Sequence, residues 1–468
     1  MTGTVSVARI DALFHEHLAR GAAPSAAWGV FDAEGLQHSQ QSGVAADAAF
    51  RIASCTKSFT AAALLSLRDE GLLGLDDPIT RFIPGLNLDG LPSAGSAVPT
   101  VRMLLTMSAG LPTDDPWADR QESLSAAEFD SVLAAGVRFE SEPGTRFAYS
   151  NLGYAMLGRV IEVAAGLPYR RVVEERLLEP LGLNGTGFDT SVAASGGIVT
   201  GFRRHAGSWE PLPFTGPGAF SAIGGLFSTV ADLARWAGWL ASAFTSEGAD
   251  AAGGMLSAAS RREMQQLHRL DQSMTAHPTG YGYGLFVEQY SPTSRVVSHS
   301  GGYPGFSAHM RWSLERGVGV IAFENATYSR VSAVATTVCD QLLAEPAILV
   351  PAPAPVLWPE TRTAQLAVKA LLAAWAGGAD APLDPALFSE NVAQDEPIGR
   401  RAAAVRRAVA DIGGLTDGAQ SAGRSDGPAH LVWFLQGRSG RLRVEIRLTP
   451  EARPRVQTLL VSIDLAGR

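Results

Sequence analysis

Between Phe50 and Leu67 the chain carries a serine and a lysine three residues apart, Ser54 and Lys57, at the head of an alanine- and leucine-rich run that ends in charged residues and Gly71. The composition of that run and its glycine stop predict a helix from about Phe59. Positions i and i+3 share a helix face, so the lysine ammonium can reach the serine hydroxyl. An alcohol is a poor nucleophile until a neighbour takes its proton, and a helix start adds partial positive charge where an alkoxide forms. Alone, the S-x-x-K spacing also fits an ordinary surface turn.

Two further stretches change that balance. Pro143-Gly144-Thr145-Arg146-Phe147-Ala148-Tyr149-Ser150-Asn151 places a tyrosine and an asparagine two apart after a Pro-Gly turn, and His299-Ser300-Gly301-Gly302 follows after a long interval. In this order the three elements resemble the serine beta-lactamase and penicillin-binding-protein superfamily, closest to the family of class C beta-lactamases, DD-peptidases, D-aminopeptidases and related esterases. Arg102-Met103-Leu104-Leu105-Thr106-Met107-Ser108-Ala109-Gly110-Leu111, Glu179-Pro180-Leu181-Gly182-Leu183 and Gly224-Gly225-Leu226-Phe227-Ser228-Thr229 extend the similarity over roughly residues 5–345.

The resemblance implies an α/β (α+β) fold: an antiparallel sheet flanked by helices plus an all-helical subdomain, with the first strands pairing with strands from beyond residue 280. It implies Ser54 as nucleophile, Lys57 and Tyr149 as managers of its proton, and the backbone N–H groups of Ser54 and Gly302 as an oxyanion hole. Nearby cations are expected to lower the Tyr149 pKa, making the phenolate a base. Asn151 is expected to hold Lys57 and a substrate carbonyl together. Which of Lys57 and Tyr149 is the base stays open, since coupled neighbours titrate as a set. The chain departs from the lactamase pattern at His299, where a lysine usually precedes the hydroxyl residue (here Ser300) and Gly301. A histidine is only partly charged near neutral pH, so the permanent cation for a substrate carboxylate is missing.

The formal net charge of −8 and the lack of a basic block argue against nucleic acid and anionic membranes as partners, and leave a small-molecule or short-peptide substrate. Two cysteines, Cys55 and Cys339, make no disulfide framework, and buried thiols are expected. No cofactor or metal is expected: His15-x-His17 lacks further ligands, and Tyr281-Gly282-Tyr283-Gly284 lacks the spacing of a phosphate loop. Met1 to Val7 shows no export signal and no run of eighteen apolar residues occurs, so a cytoplasmic location is expected.

Asp114-Asp115-Pro116-Trp117 reads as a loop overhanging the cleft, able to meet an amine-bearing substrate or simply to face solvent. Residues 196–223, rich in Gly, Pro and isolated aromatics, read as a long pocket-lining loop, and 281–287 as one strand. Three domains are expected: a hydrolase domain at 1–345, a proline-rich linker at 346–360, and a small α+β accessory domain at 361–468. In the last, Leu442, Val444, Ile446 and Leu448 alternate with Arg441, Arg443, Glu445 and Arg447, as in a strand with one solvated face. The functional expectation is an acyl-enzyme serine hydrolase of small amides, peptides, D-amino-acid-containing ones included, or esters. The alternatives are a beta-lactamase or D-Ala-D-Ala carboxypeptidase, and a non-catalytic binding protein of the same fold.

Overall fold

The helix Thr56–Asp69 is buried on every side from Thr56 to Leu67. A helix without a wet face belongs at the centre of a core, and its polar side chains are bonded there, as burial requires. Ser58 Oγ donates to the Cys55 carbonyl and accepts from Trp236 Nε1; Thr60 Oγ1 donates to the Ala222 carbonyl; Ser66 Oγ donates to the Ala63 carbonyl. This serine helix is therefore held in rotation and in height.

In this computed structural model residues 6–192, 194–244, 255–271, 277–291, 294–344, 356–416, 425 and 427–464 are described. The chain divides into two compact units, Met1–Ala347 and Ile348–Arg468.

The first unit is built on an eight-stranded antiparallel sheet, in the order Gly35–Ser42, Ala26–Asp32, Gly319–Glu324, Phe306–Ser313, Ser294–Tyr303, Phe286–Ser291, Thr279–Tyr281, Arg269–Leu270. Ala26–Asp32 pairs with Gly319–Glu324, so the two ends of the unit meet and the helical body is an insertion between them. On one face of the sheet the helices Val7–Ala19 and Val331–Ala344 pack through Ile10, Phe14, Trp28 and Val338, with the Phe14 and Trp28 rings stacked at 4.7 Å. The serine helix, the helix Asn151–Ala165 and the helix Val230–Ala241 share the larger core on the other face. Cys55 and Cys339 are free and buried. His17 lies 3.3 Å from the buried carboxylate of Glu324.

Three local readings change. The stretch 196–223 is not all loop: Phe202–His205 and Ser208–Pro211 form a hairpin and Ser221–Gly224 a helical turn. The strand read over 281–287 is split into Thr279–Tyr281 and Phe286–Ser291 by a turn at Gly284, whose φ of 71° and close approach to the Lys57 carbonyl exclude a side chain. Asp115–Ala118 is a short helix rather than open loop.

In the second unit the helices Pro359–Ala376 and Ile398–Asp411 accompany a three-stranded antiparallel sheet, His430–Gln436, Arg441–Leu448, Val456–Asp464. It has its own core, including Trp375, Trp433 and Leu442. Of the stretch 346–360, residues 346–355 lie outside the described residues, and Pro359 already begins a helix, a position suited to a residue without an N–H. The strand Arg441–Leu448 buries its apolar alternation, but Glu445 on the polar face is buried too, with Arg443 and His430 bonded to it. Among the described residues no helix is long and apolar enough to cross a membrane.

Candidate active site

Ser54 sits in the 3-10 turn Ala53–Cys55 that leads into the serine helix. Ala53 has a φ of 47°, a left-handed conformation that a non-glycine residue adopts only when its surroundings hold it there. Here Phe50 and Arg51 pair with Ser228 and Phe227, Ile52 N donates to the Leu226 carbonyl, and Cys55 Sγ donates to the His299 carbonyl. The turn is thus fastened to the strand Ser294–Tyr303. Gly301 completes the fit, since a Cβ there would lie 2.2 Å from the Ile52 carbonyl oxygen.

Lys57 Nζ donates to Ser54 Oγ at 2.9 Å and to the Ile223 carbonyl at 2.8 Å. Burial pushes its pKa down to about 8, against the pull of Asp115, Asp119 and Asp114. The Tyr149 ring centre is 5.1 Å from Nζ. Its phenol is held well above the usual range: burial raises it, a hydrogen bond to Ser54 pulls it back only in part, and Asp115 adds to the rise. The expected lowering of the Tyr149 pKa is therefore reversed. Of the two, Lys57 is the group that becomes neutral near physiological pH.

Asn151 opens the helix Asn151–Ala165, whose N-cap is Ser150. Asp114 reinforces that cap from another segment, accepting from Asn151 N at 2.7 Å and Leu152 N at 2.9 Å. The Asn151 Nδ2 donates to Asp115 Oδ1 at 2.5 Å, and Oδ1 has no partner among the described residues. The expected bond from Lys57 to Asn151 is absent there, because the ammonium is directed at the Ile223 carbonyl instead.

His299 is buried and its Nδ1 faces the Ser300 carbonyl at 2.7 Å, which makes Nδ1 the protonated nitrogen. The Tyr281 hydroxyl then donates to Nε2 at 3.0 Å. Burial, with Lys57 adding to it, pushes the pKa down to about 3, so the imidazole is neutral. Ser300 Oγ is paired with His309 Nδ1 at 2.9 Å. The strand Phe286–Ser291 stops pairing at Ser298, which leaves the edge from His299 to Tyr303 open toward the serine turn. Gly302 lies on that edge against the Tyr328 ring.

Ser54, Lys57, Tyr149 and His299 are thereby brought together, with Gly301 against the serine turn and Asn151 bonded to Asp115. Two contributions went unread in the sequence. One is the Ile223 carbonyl, which no side chain announces. The other is Asp119, which caps the end of the short helix that Asp115 begins. Burial pushes Asp119 up to about 7, against the opposing charge of Lys57. Behind the turn, Arg51 and Glu122 form a fully buried ion pair at 3.2 Å, with Ser221 Oγ donating to Glu122 at 2.9 Å.

The beta-lactamase family profile matches residues 10–345, and the chain belongs to that family. A human beta-lactamase-like protein is 34% identical over 199 residues, 40% of this chain and 38% of that one. Penicillin-binding protein 4* of Bacillus subtilis (strain 168) is 25% identical over 283 residues, 56% of this chain and 57% of that one. The chain thus spans well under two thirds of either relative. Among solved structures, an octameric penicillin-binding protein homologue from Pyrococcus abyssi is similar in fold with a TM-score of 0.61 at 21% identity, covering 98% of this chain and 95% of that one.

Proposed function

We propose that the protein is a metal-independent serine hydrolase that cleaves small esters, amides or short peptides through an acyl-enzyme. The observation that carries this reading is the 2.9 Å bond between Lys57 and Ser54 at a buried lysine whose pKa lies near 8. In its neutral form Lys57 accepts the Ser54 proton as Oγ bonds to the substrate carbonyl carbon. The oxyanion lies against the N–H groups of Ser54 and Gly302. As the carbon–leaving-group bond breaks, that proton passes to the departing oxygen or nitrogen, with the neutral Tyr149 phenol between them as relay. Water then loses a proton to Lys57 and attacks the acyl-enzyme ester, and that proton passes to Ser54 Oγ as the acyl–oxygen bond breaks, which releases the acid and restores Ser54.

The neutral His299 argues for ester and amide substrates over penicillins and D-Ala-D-Ala peptides. A charge-assisted hydrogen bond to the missing cation is worth about 1.5–3 kcal/mol, or about one to two orders of magnitude in kcat/KM. The test is labelling with a fluorophosphonate followed by peptide mass spectrometry. Label is expected on Ser54 and is lost in Ser54→Ala with the melting temperature unchanged. Label on Ser58 or Ser300, or none on folded protein, overturns the reading.

A further inference from the structure

The serine turn, the strand edge beside it and the acceptor of Lys57 lie on three separate segments, and one buried ion pair reaches all of them. The side chains of Arg51 and Glu122 are each 1% exposed and stand 3.2 Å apart. An ion pair taken wholly out of water stabilises a fold little more than apolar side chains of the same size, because the cost of desolvation offsets the attraction. What a guanidinium and a carboxylate add is direction, since each fixes several partners at set angles.

Arg51 lies three residues before Ser54 and pairs with Phe227 in the short ladder that fastens the serine turn. Its guanidinium carbon is 4.2 Å from the centre of the Tyr303 ring and 4.8 Å from that of Phe227, contacts in which the ring face attracts a cation. Tyr303 directly follows Gly302 on the strand Ser294–Tyr303 and is buried. Arg51 Nη2 also donates to the Thr215 carbonyl at 3.0 Å. The segment that supplies one proposed oxyanion donor is thereby held against the segment that supplies the other.

Glu122 works on the lysine side. Its carboxylate accepts from Ser221 Oγ at 2.9 Å, and Ser221 Oγ accepts from Gly218 N at 3.0 Å. Ser221 opens the helical turn Ser221–Gly224, and Ile223 in that turn accepts from Lys57 Nζ at 2.8 Å. The fit is close, since a Cβ on Gly225 would lie 2.8 Å from the Glu122 carboxylate. One hydrogen bond, one turn of backbone and a second hydrogen bond therefore link Glu122 to the ammonium.

We propose that Arg51 and Glu122 are positioning residues for the acylation of Ser54, Arg51 holding the strand residue after Gly302 against the serine turn and Glu122 holding, through Ser221, the carbonyl that orients Lys57. This deepens the serine-hydrolase reading and rests on it.

The experiment measures kcat, KM and the pH–rate profile of the full chain on p-nitrophenyl butyrate, with Ser54→Ala as the blank. In the double variant Arg51→Met/Glu122→Leu an apolar pair replaces the ion pair, and the denaturant midpoint is expected at or above that of wild type. A fall in kcat of about 10²–10³-fold, the size of one misplaced oxyanion donor, is expected with KM within about threefold. Ser221→Ala cuts the link to Glu122 and leaves the ion pair in place. Burial, which lowers the Lys57 pKa, and Asp115, Asp119 and Asp114, which raise it, are also left in place. There kcat is expected to fall about tenfold, and the midpoint of kcat/KM near pH 8 to move to lower pH, because the ammonium loses its hold on an acceptor that favours the charged form. A folded double variant that keeps the wild-type kcat, or that changes KM alone, overturns the proposal. So does an unmoved midpoint in Ser221→Ala, whatever its kcat, and that result decides the matter if the double variant does not fold. Wild-type hydrolysis that survives Ser54→Ala, or no hydrolysis at all, overturns the serine-hydrolase reading and the positioning with it.

Discussion

At the scale of single residues, the protonation states divide the work among groups that resemble one another on paper. Lys57, Tyr149 and His299 each have the chemistry of a base, but burial moves them in different directions. The lysine falls to about 8, the phenol rises out of range and the imidazole falls to about 3. If neutral Lys57 accepts the serine proton, kcat/KM on a neutral ester rises with pH and levels off above an apparent pKa near 8, with no inflection from His299 near 6.5. A pH–rate profile from pH 5 to 10 checks this; a limb centred near 6.5 that vanishes in His299→Gln would reassign the base. The same shift has a sign for stability. Lys57 binds its proton less tightly in the folded than in the unfolded chain, so its contribution grows more favourable as pH rises from about 8 toward the ordinary lysine value, which denaturant titrations at pH 7 and 10 can follow in Lys57→Met against wild type.

At the scale of elements, the cleft depends on a strand edge and a helix start meeting a tight turn. Gly301→Ala places a Cβ 2.2 Å from the Ile52 carbonyl oxygen, and the backbone on both sides leaves little room to yield. A loss of about 1–3 kcal/mol in denaturant stability is expected, together with at least a tenfold loss of fluorophosphonate labelling rate as the edge moves away from Ser54. Asp114→Ala removes the acceptor for two N–H groups of the helix Asn151–Ala165 and is expected to cost about 1–2 kcal/mol, read from the urea midpoint. The sequence motifs made the serine turn, the tyrosine turn and the histidine strand legible because each joins a reactive side chain to a turn or glycine that must accompany it. The capping role of Asp114 escaped because a cap supplied from another segment leaves no local spacing. The direction of the Tyr149 shift escaped for a related reason: it is set by how much protein closes over the ring, which distant elements decide. The hairpin within 196–223 was hidden by its own Gly and Pro content, read as loop although those residues flank two short paired strands.

At the scale of the whole chain, the candidate site residues all precede the second unit, and that unit closes a core of its own. A chain ending at Leu349 is expected to keep kcat on p-nitrophenyl butyrate within about tenfold, since losing even one oxyanion donor costs about 10²–10³. Kinetics of the purified truncated chain on the butyrate and on a bulky peptide ester measure this, and a collapse on both would assign the second unit a part in the cleft. Within the first unit, the pairing of Ala26–Asp32 with Gly319–Glu324 also has a consequence for the order of events at the ribosome. The serine and its lysine emerge early, but the strand edge that carries Gly302 is made only after the whole helical body. At roughly 5–20 residues per second, synthesis from Ser54 to Gly302 takes on the order of 10–50 s. Throughout that interval the serine proposed as nucleophile lacks the Gly302 donor proposed for the oxyanion, and the strand Ala26–Asp32 has only Gly35–Ser42 beside it, so on the serine-hydrolase reading activity waits until the tail of the unit returns to its head.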